Sequence, residues 1–135
     1  MKIYDCIILG TGYGGLGMGA QLVRDEQKDF LILEAADEVG GVWRDNTYPG
    51  AACDTQALIY CYSYFLNLGV SRMFAGQDEM QGYLKALAEE FNLYDHIKFN
   101  HRITNAAWKE DLKAWEIEAN GETFYGRFAP EKKAA

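Results

Sequence analysis

Ile3-Tyr4-Asp5-Cys6-Ile7-Ile8-Leu9-Gly10-Thr11-Gly12-Tyr13-Gly14-Gly15 opens the chain and decides its fold. Ile3–Leu9 is a short apolar run of strand length. Gly10–Gly15 fits G-x-G-x-x-G directly after it. A helix-compatible run, Gly14–Arg24, follows, and then a second apolar strand, Phe30–Leu33, ending on Glu34. Each part has its own physical task. Gly10 permits the tight turn out of the strand. Gly12 has no Cβ and admits a pyrophosphate to the backbone. Gly15 lets the helix pack close to the strand. The free N–H groups and positive dipole end of the helix favour phosphate. Glu34 is placed to accept hydrogen bonds from a ribose diol, and its charge would repel a 2′-phosphate. The reading is a site for the ADP half of NAD or FAD, with NADP disfavoured there.

Working outward, the remaining segments extend an α/β pattern. Gly17 and Gly19 weaken the first helix by up to ~1 kcal/mol each relative to alanine, so close packing must compensate. Ala35–Ala57 shows neither strand nor helix period and reads as a long ordered loop, unusual unless functional. Asp78–Phe91 places Met80, Tyr83, Leu84, Leu87, Ala88 and Phe91 at helical spacing, a core-facing stripe. Ile97–Phe99 is a short strand. Ile103–Trp108, Trp115–Ala119 and Glu122–Phe128 form an antiparallel meander. Its first turn is Asp111-Leu112-Lys113, and Asn120-Gly121 predicts a type I′ hairpin. Residues 1–129 are expected to form one Rossmann-like unit with a βαβ start, a parallel sheet and a meander. Residues 130–135 are expected to be a disordered polar tail.

Composition narrows the partners. The chain has 135 residues, 49% of them hydrophobic and 24% charged, as in a globular domain. A net charge of -7 argues against nucleic acid or an anionic membrane. No apolar run approaches the ~20 residues of a membrane span, and Asp5 interrupts any signal-like stretch. Cys6, Cys53 and Cys61 lack metal-ligand spacing and suit reduced thiols in a cytoplasm. No metal site is expected.

A second block reads Gly40-Gly41-Val42-Trp43-Arg44-Asp45-Asn46-Thr47-Tyr48-Pro49-Gly50-Ala51-Ala52-Cys53-Asp54. By composition it is either a turn-rich loop with aromatic anchors or a ligand-facing segment. Its residues resemble the flavin-binding stretch of class B flavoprotein monooxygenases, particularly the Baeyer–Villiger monooxygenases. There G-G-x-W precedes Y-P-G-x-x-C-D and an aromatic run. Val42-Trp43-Arg44 also looks like the related N- and S-oxidising flavin-containing monooxygenases. The resemblance covers roughly residues 1 to 128.

The resemblance implies roles by position. Gly10, Gly12, Tyr13, Gly14 and Gly15 would cradle the FAD pyrophosphate. Glu34 and Ala35 would meet the adenosine ribose, and the Ile103 backbone the adenine. Gly41, Val42, Trp43, Arg44, Asp45 and Tyr48 would line the flavin's path. Asp54 and Tyr60 would lie near the isoalloxazine, with Asp54 as the catalytic candidate. In such enzymes NADPH and O₂ drive oxidation of a ketone or a soft heteroatom, and the cofactor supplies the hard chemistry.

Beyond Gly10–Gly17 no further G-x-G-x-x-G occurs among the 135 residues, and neither does the fingerprint F-x-G-x-x-x-H-x-x-x-W-P. The expectation is therefore an N-terminal FAD-binding piece, inactive alone. A stand-alone dinucleotide-binding module with a separately encoded partner, and a remnant that folds without flavin, are the alternatives. The first strand is expected to lack one neighbour, which predicts contact with the rest of an enzyme or self-association through an unpaired edge.

Overall fold

The computed structural model describes residues 2–41, 45 and 76–129. Strand β1 is Ile3–Leu9, helix α1 is Tyr13–Arg24, β2 is Phe30–Leu33 and α2 is Gln77–Glu90. A 3-10 turn, Leu93–His96, leads into β3, Ile97–Lys98. The meander follows as β4 Ile103–Lys109, β5 Ala114–Ala119 and β6 Glu122–Phe128. All six strands form one sheet, ordered β3-β2-β1-β6-β5-β4. The pairs β3/β2, β2/β1 and β1/β6 are parallel, and β6/β5 and β5/β4 antiparallel. The α/β Rossmann-like reading holds.

The two faces of β1 and β2 sort their side chains by alternation. Cys6, Ile8, Phe30 and Ile32 face one way and pack with Leu16 and Ala20 of α1 and Tyr83, Leu84, Leu87 and Ala88 of α2. Ile7, Leu31 and Leu33 face the other way and pack with Ile117 and Ala119 of β5. The sheet's central strands are thus apolar on both faces, which is why Phe30–Leu33 is an unbroken apolar run. The Asp78–Phe91 stripe is core as read, shifted one residue earlier as a helix.

The glycines of α1 are explained by contact. A Cβ on Gly19 would lie 3.2 Å from Ile32 Cδ1 and 3.3 Å from Leu93 Cδ2. The helix lies so close to the sheet and the 3-10 turn that a larger residue would have to displace them. The 3-10 turn itself escapes sequence reading, because four residues carry no periodicity. Asn120 and Gly121 both have positive φ, 52° and 75°, as a type I′ turn requires.

One expectation is corrected. β1 does not lack a neighbour on its second side. β6 pairs with it through Ile3↔Tyr125, Tyr4↔Gly126 and Cys6↔Phe128. The last meander strand reaches past its hairpin partner and lies along the N-terminal half of β1. Among the described residues no strand continues this pairing past Cys6. The argument for self-association through an open β1 edge therefore loses its premise over that half. The expected tail, 130–135, lies outside the described residues.

The seam between β1 and β6 is tight. A Cβ on Gly126 would sit 2.7 Å from Ile7 Cγ1. Gly126→Val should lower unfolding free energy by about 1–3 kcal/mol in urea melts, as overpacking does. Burial pushes the Cys6 thiol up to about 11. A raised thiol pKa keeps the neutral form at pH 8, so alkylation at Cys6 should wait for unfolding, read by peptide mass mapping. The same sign means that this group's contribution to stability is present below about pH 9 and is lost as pH rises through 11.

Candidate dinucleotide-binding site

At the C-terminal ends of β1 and β2 the chain opens a cleft of about 340 Å³, lined by Leu9, Gly10, Leu33, Glu34, Ala35, His101, Arg102 and Ile103. This is where parallel α/β sheets bind nucleotides. Four residues expected to hold a cofactor, Gly10, Glu34, Ala35 and Ile103, meet there although they are widely spaced in sequence.

The glycine loop is built on contact distances. Gly10 leaves β1 with φ 95°, and its N–H donates to Leu33 O at 2.8 Å. A Cβ on Gly15 would lie 2.1 Å from the Gly10 carbonyl oxygen, so only glycine allows α1 to start this close to the strand end. A Cβ on Gly14 would meet nothing within 4 Å, so open space lies on that side of the loop. Helix α1 begins at Tyr13, one residue earlier than read, because Gly12 is extended and serves as its N-cap. No side chain caps α1 and no acidic residue occupies its first turn, whereas α2 carries Asp78 and Glu79 there. Among the described residues, no side-chain cap and no acidic residue of the first turn offsets the positive end of the α1 dipole, a setting that favours an anion. The Tyr13 ring stacks on Tyr83 at 6.3 Å between centroids, so that side chain anchors α1 to α2.

Glu34 is buried, with 4% of its surface exposed. Its Oε1 accepts from the Thr11 N–H at 3.0 Å and from the Thr11 hydroxyl, and its Oε2 from the Ala36 N–H at 2.9 Å. Its backbone is also held: its N–H donates to Lys98 O at 3.0 Å, and its carbonyl accepts from His101 N–H at 2.8 Å. A buried carboxylate needs such donors, since charge-assisted bonds offset its desolvation.

The second block begins against the first. Gly40 N–H donates to Thr11 O at 2.9 Å, and Gly41, at φ 56°, would place a Cβ only 2.7 Å from Gly12 Cα. Asp45 is exposed, and its N–H donates to Gly41 O at 3.0 Å. Val42, Trp43, Arg44, Tyr48, Asp54 and Tyr60 lie outside the described residues.

Three lining or supporting residues escape motif reading. Thr11 fills a variable slot of G-x-G-x-x-G, so the motif is silent about it. His101 and Arg102 precede Ile103 on an irregular segment. His101 is held by Nδ1 to Phe99 O at 2.6 Å and by Nε2 to Glu122 at 2.5 Å, tying the cleft wall to β6. The Arg102 side chain makes no hydrogen bond or ion pair with another described residue.

The glycine turn, the acidic end of β2 and the cleft between them define a Rossmann-type nucleotide site, and the chain belongs to the NAD(P)-binding Rossmann-like domain family, matched over residues 8–87. Within that class its relatives are more specific. It is 41% identical over 111 residues to a Baeyer–Villiger monooxygenase of Streptomyces coelicolor, a match covering 82% of this chain and 21% of the relative. The closed crystal structure of cyclohexanone monooxygenase superposes with a TM-score of 0.88 at 28% identity, over 96% of this chain and 25% of that one. A crystal structure of OTEMO in complex with FAD and NADP gives 0.83 at 32% identity, over 93% and 24%. The chain thus spans about a fifth of the length of the curated relatives it matches. The resemblance to Baeyer–Villiger monooxygenases read from the Gly40–Asp54 block stands.

Replacing Glu34 by leucine strands the Thr11 and Ala36 donors without an acceptor. Unfolding free energy should fall by about 2–4 kcal/mol in urea melts, and Glu34→Gln, which keeps one acceptor oxygen, should fall less.

Proposed function

We propose that this chain binds FAD through its ADP half and forms the FAD-binding part of an NADPH- and O₂-dependent flavoprotein monooxygenase of the Baeyer–Villiger type. The observation that carries the reading is the cleft that gathers Gly10, Glu34, Ala35 and Ile103 beside an uncapped helix start. Residues 1–129 act as one cofactor-binding unit, in the cytoplasm. The relatives' printed names and the OTEMO complex with FAD and NADP support FAD as the ligand and NADPH as the reductant.

The residues present fit the cofactor. The first-turn N–H groups of α1, over Tyr13, Gly14 and Gly15, would face the pyrophosphate, and the open side of Gly14 leaves it room. Glu34 would accept hydrogen bonds from the adenosine ribose with Ala35 beside it, and the Ile103 backbone would meet the adenine. Gly41, Val42, Trp43, Arg44, Asp45 and Tyr48 would line the flavin's path. Asp54 and Tyr60 would serve at its redox end, with Asp54 as the catalytic candidate. When bound, FAD supplies the electron transfer and oxygen chemistry. The chain's own contribution is to grip, orient and fix the phosphate and ribose charges before binding, which lowers the ordering cost of association.

The G-x-G-x-x-G pattern occurs only within Gly10–Gly17, so the 135 residues by themselves are expected to bind flavin without consuming NADPH. A fluorescence titration should show FAD quenching with a dissociation constant below tens of micromolar, and NADPH absorbance should stay constant. Absence of FAD binding in that range would reject the reading. Gly14→Val should weaken FAD at least ~10-fold with little loss of stability, because its Cβ would enter open space that the ligand needs.

A further inference from the structure

One wall of the cleft, His101-Arg102-Ile103, is irregular backbone leading from β3 into β4. Its inner side is tied to the end of β2 by backbone bonds. Asn100 N–H donates to Ala36 O at 2.9 Å, and His101 N–H to Glu34 O at 2.8 Å. Its outer side is held less regularly, because the β4/β5 register shifts between Ile103 and Asn105. The His101 ring adds a tie to β6, and both of its nitrogens face acceptors. Nδ1 lies 2.6 Å from the Phe99 carbonyl oxygen, and Nε2 lies 2.5 Å from Glu122 Oε2. A carbonyl and a carboxylate accept and do not donate, whereas neutral imidazole has a single N–H. Both bonds exist together only when the ring carries two protons. Phe124, on the same face of β6 as Glu122, sets its ring 5.9 Å from that of His101, edge to face.

We propose that His101 is a positioning residue whose imidazolium form pins the Arg102–Ile103 wall to β6 and so makes nucleotide affinity depend on pH. This rests on the nucleotide-site reading above and deepens it. Among the described residues, Glu122 is the charged group that bonds to the ring. Glu34 takes the His101 N–H on its backbone carbonyl, while its carboxylate accepts from Thr11 and Ala36. Arg102 is next in the chain and lines the same cleft. Lys98 of β3 and Glu118 of β5 are exposed, and Ala119, which pairs with both Ile103 and Glu122, brings no charge. When the ring loses its second proton, Nε2 presents a lone pair to a carboxylate and the pin fails. The wall keeps its backbone bonds to β2 but loses its hold on the meander. A ligand must then order that wall itself, which weakens binding. The Glu122 side chain is 56% exposed, so bulk pH reaches the pair. The pinned form is complete at low pH and is lost as pH rises through the range in which histidines titrate, about pH 5 to 8.

The test is calorimetric titration of ADP-ribose into the 135-residue chain at a series of pH values from about 5.5 to 8.5. ADP-ribose carries the half of FAD expected in this cleft, and its pyrophosphate stays ionised throughout. Affinity should fall about 5-fold from the acid to the alkaline end. Glu122→Gln, whose amide can donate to a neutral ring, should flatten the profile, and so should His101→Gln. His96→Gln removes the other histidine of the chain and should leave the slope as it is. By reciprocity, ADP-ribose should move the titration of the His101 ring, followed by its nitrogen NMR shifts, to higher pH. That measurement needs only the wild type and decides the matter where a variant does not fold. A flat wild-type profile, a slope that persists in either variant of the pair, or a His101 titration that the ligand does not move overturns the proposal and leaves the site reading intact. If the wild type binds no ADP-ribose at any pH, the site reading fails and the proposal fails with it.

Discussion

The whole upper end of the molecule hangs on Glu34. Its carboxylate closes the glycine loop through Thr11, and its backbone N–H and carbonyl clamp the segment after β3 through Lys98 and His101. Three pieces of chain that are far apart in sequence are thereby fixed around one cleft. An ionised group this deep would be costly if any donor were missing. The same bonds that stabilise the fold also fix the position of the carboxylate proposed to face the ribose.

Close backbone approach is the second organising constraint. The Gly15 position against the Gly10 carbonyl, Gly41 against Gly12, and Gly126 against Ile7 all lie nearer than a Cβ would allow. These contacts draw α1, the second loop and β6 tightly onto β1. The result is a central strand packed on both faces and paired on both sides over its first half. This close packing depends on the absence of side chains at those positions.

Much of this was legible in the residues. Ile3–Leu9, Phe30–Leu33 and Glu122–Phe128 declare their strands by apolar runs or by a turn with a required φ, and the α2 stripe repeats at helical spacing. These signals are local, and the strands appear where they predict. What was not legible is non-local. Nothing in Tyr125-Gly126-Arg127-Phe128 says that it will lie parallel to residues 3–6, because register across the chain depends on how the meander curls. Thr11 was hidden for a different reason. A motif names its glycines and leaves the intervening positions blank, so a side chain that acts through another residue carries no pattern of its own. His101 and Arg102 sit on irregular backbone, where neither period applies.

The β1–β6 pairing also sets an order of assembly. Its partners, Ile3 with Tyr125 and Cys6 with Phe128, lie far apart in sequence. Closing so long a loop carries an entropic cost that only the finished meander can offset. During synthesis β1 can pair with β2 through a short βαβ closure, whereas its other side waits until β6 has been made. Until then one flank of this largely apolar strand stays uncovered, and the meander acts as the late closing step that ends the exposure.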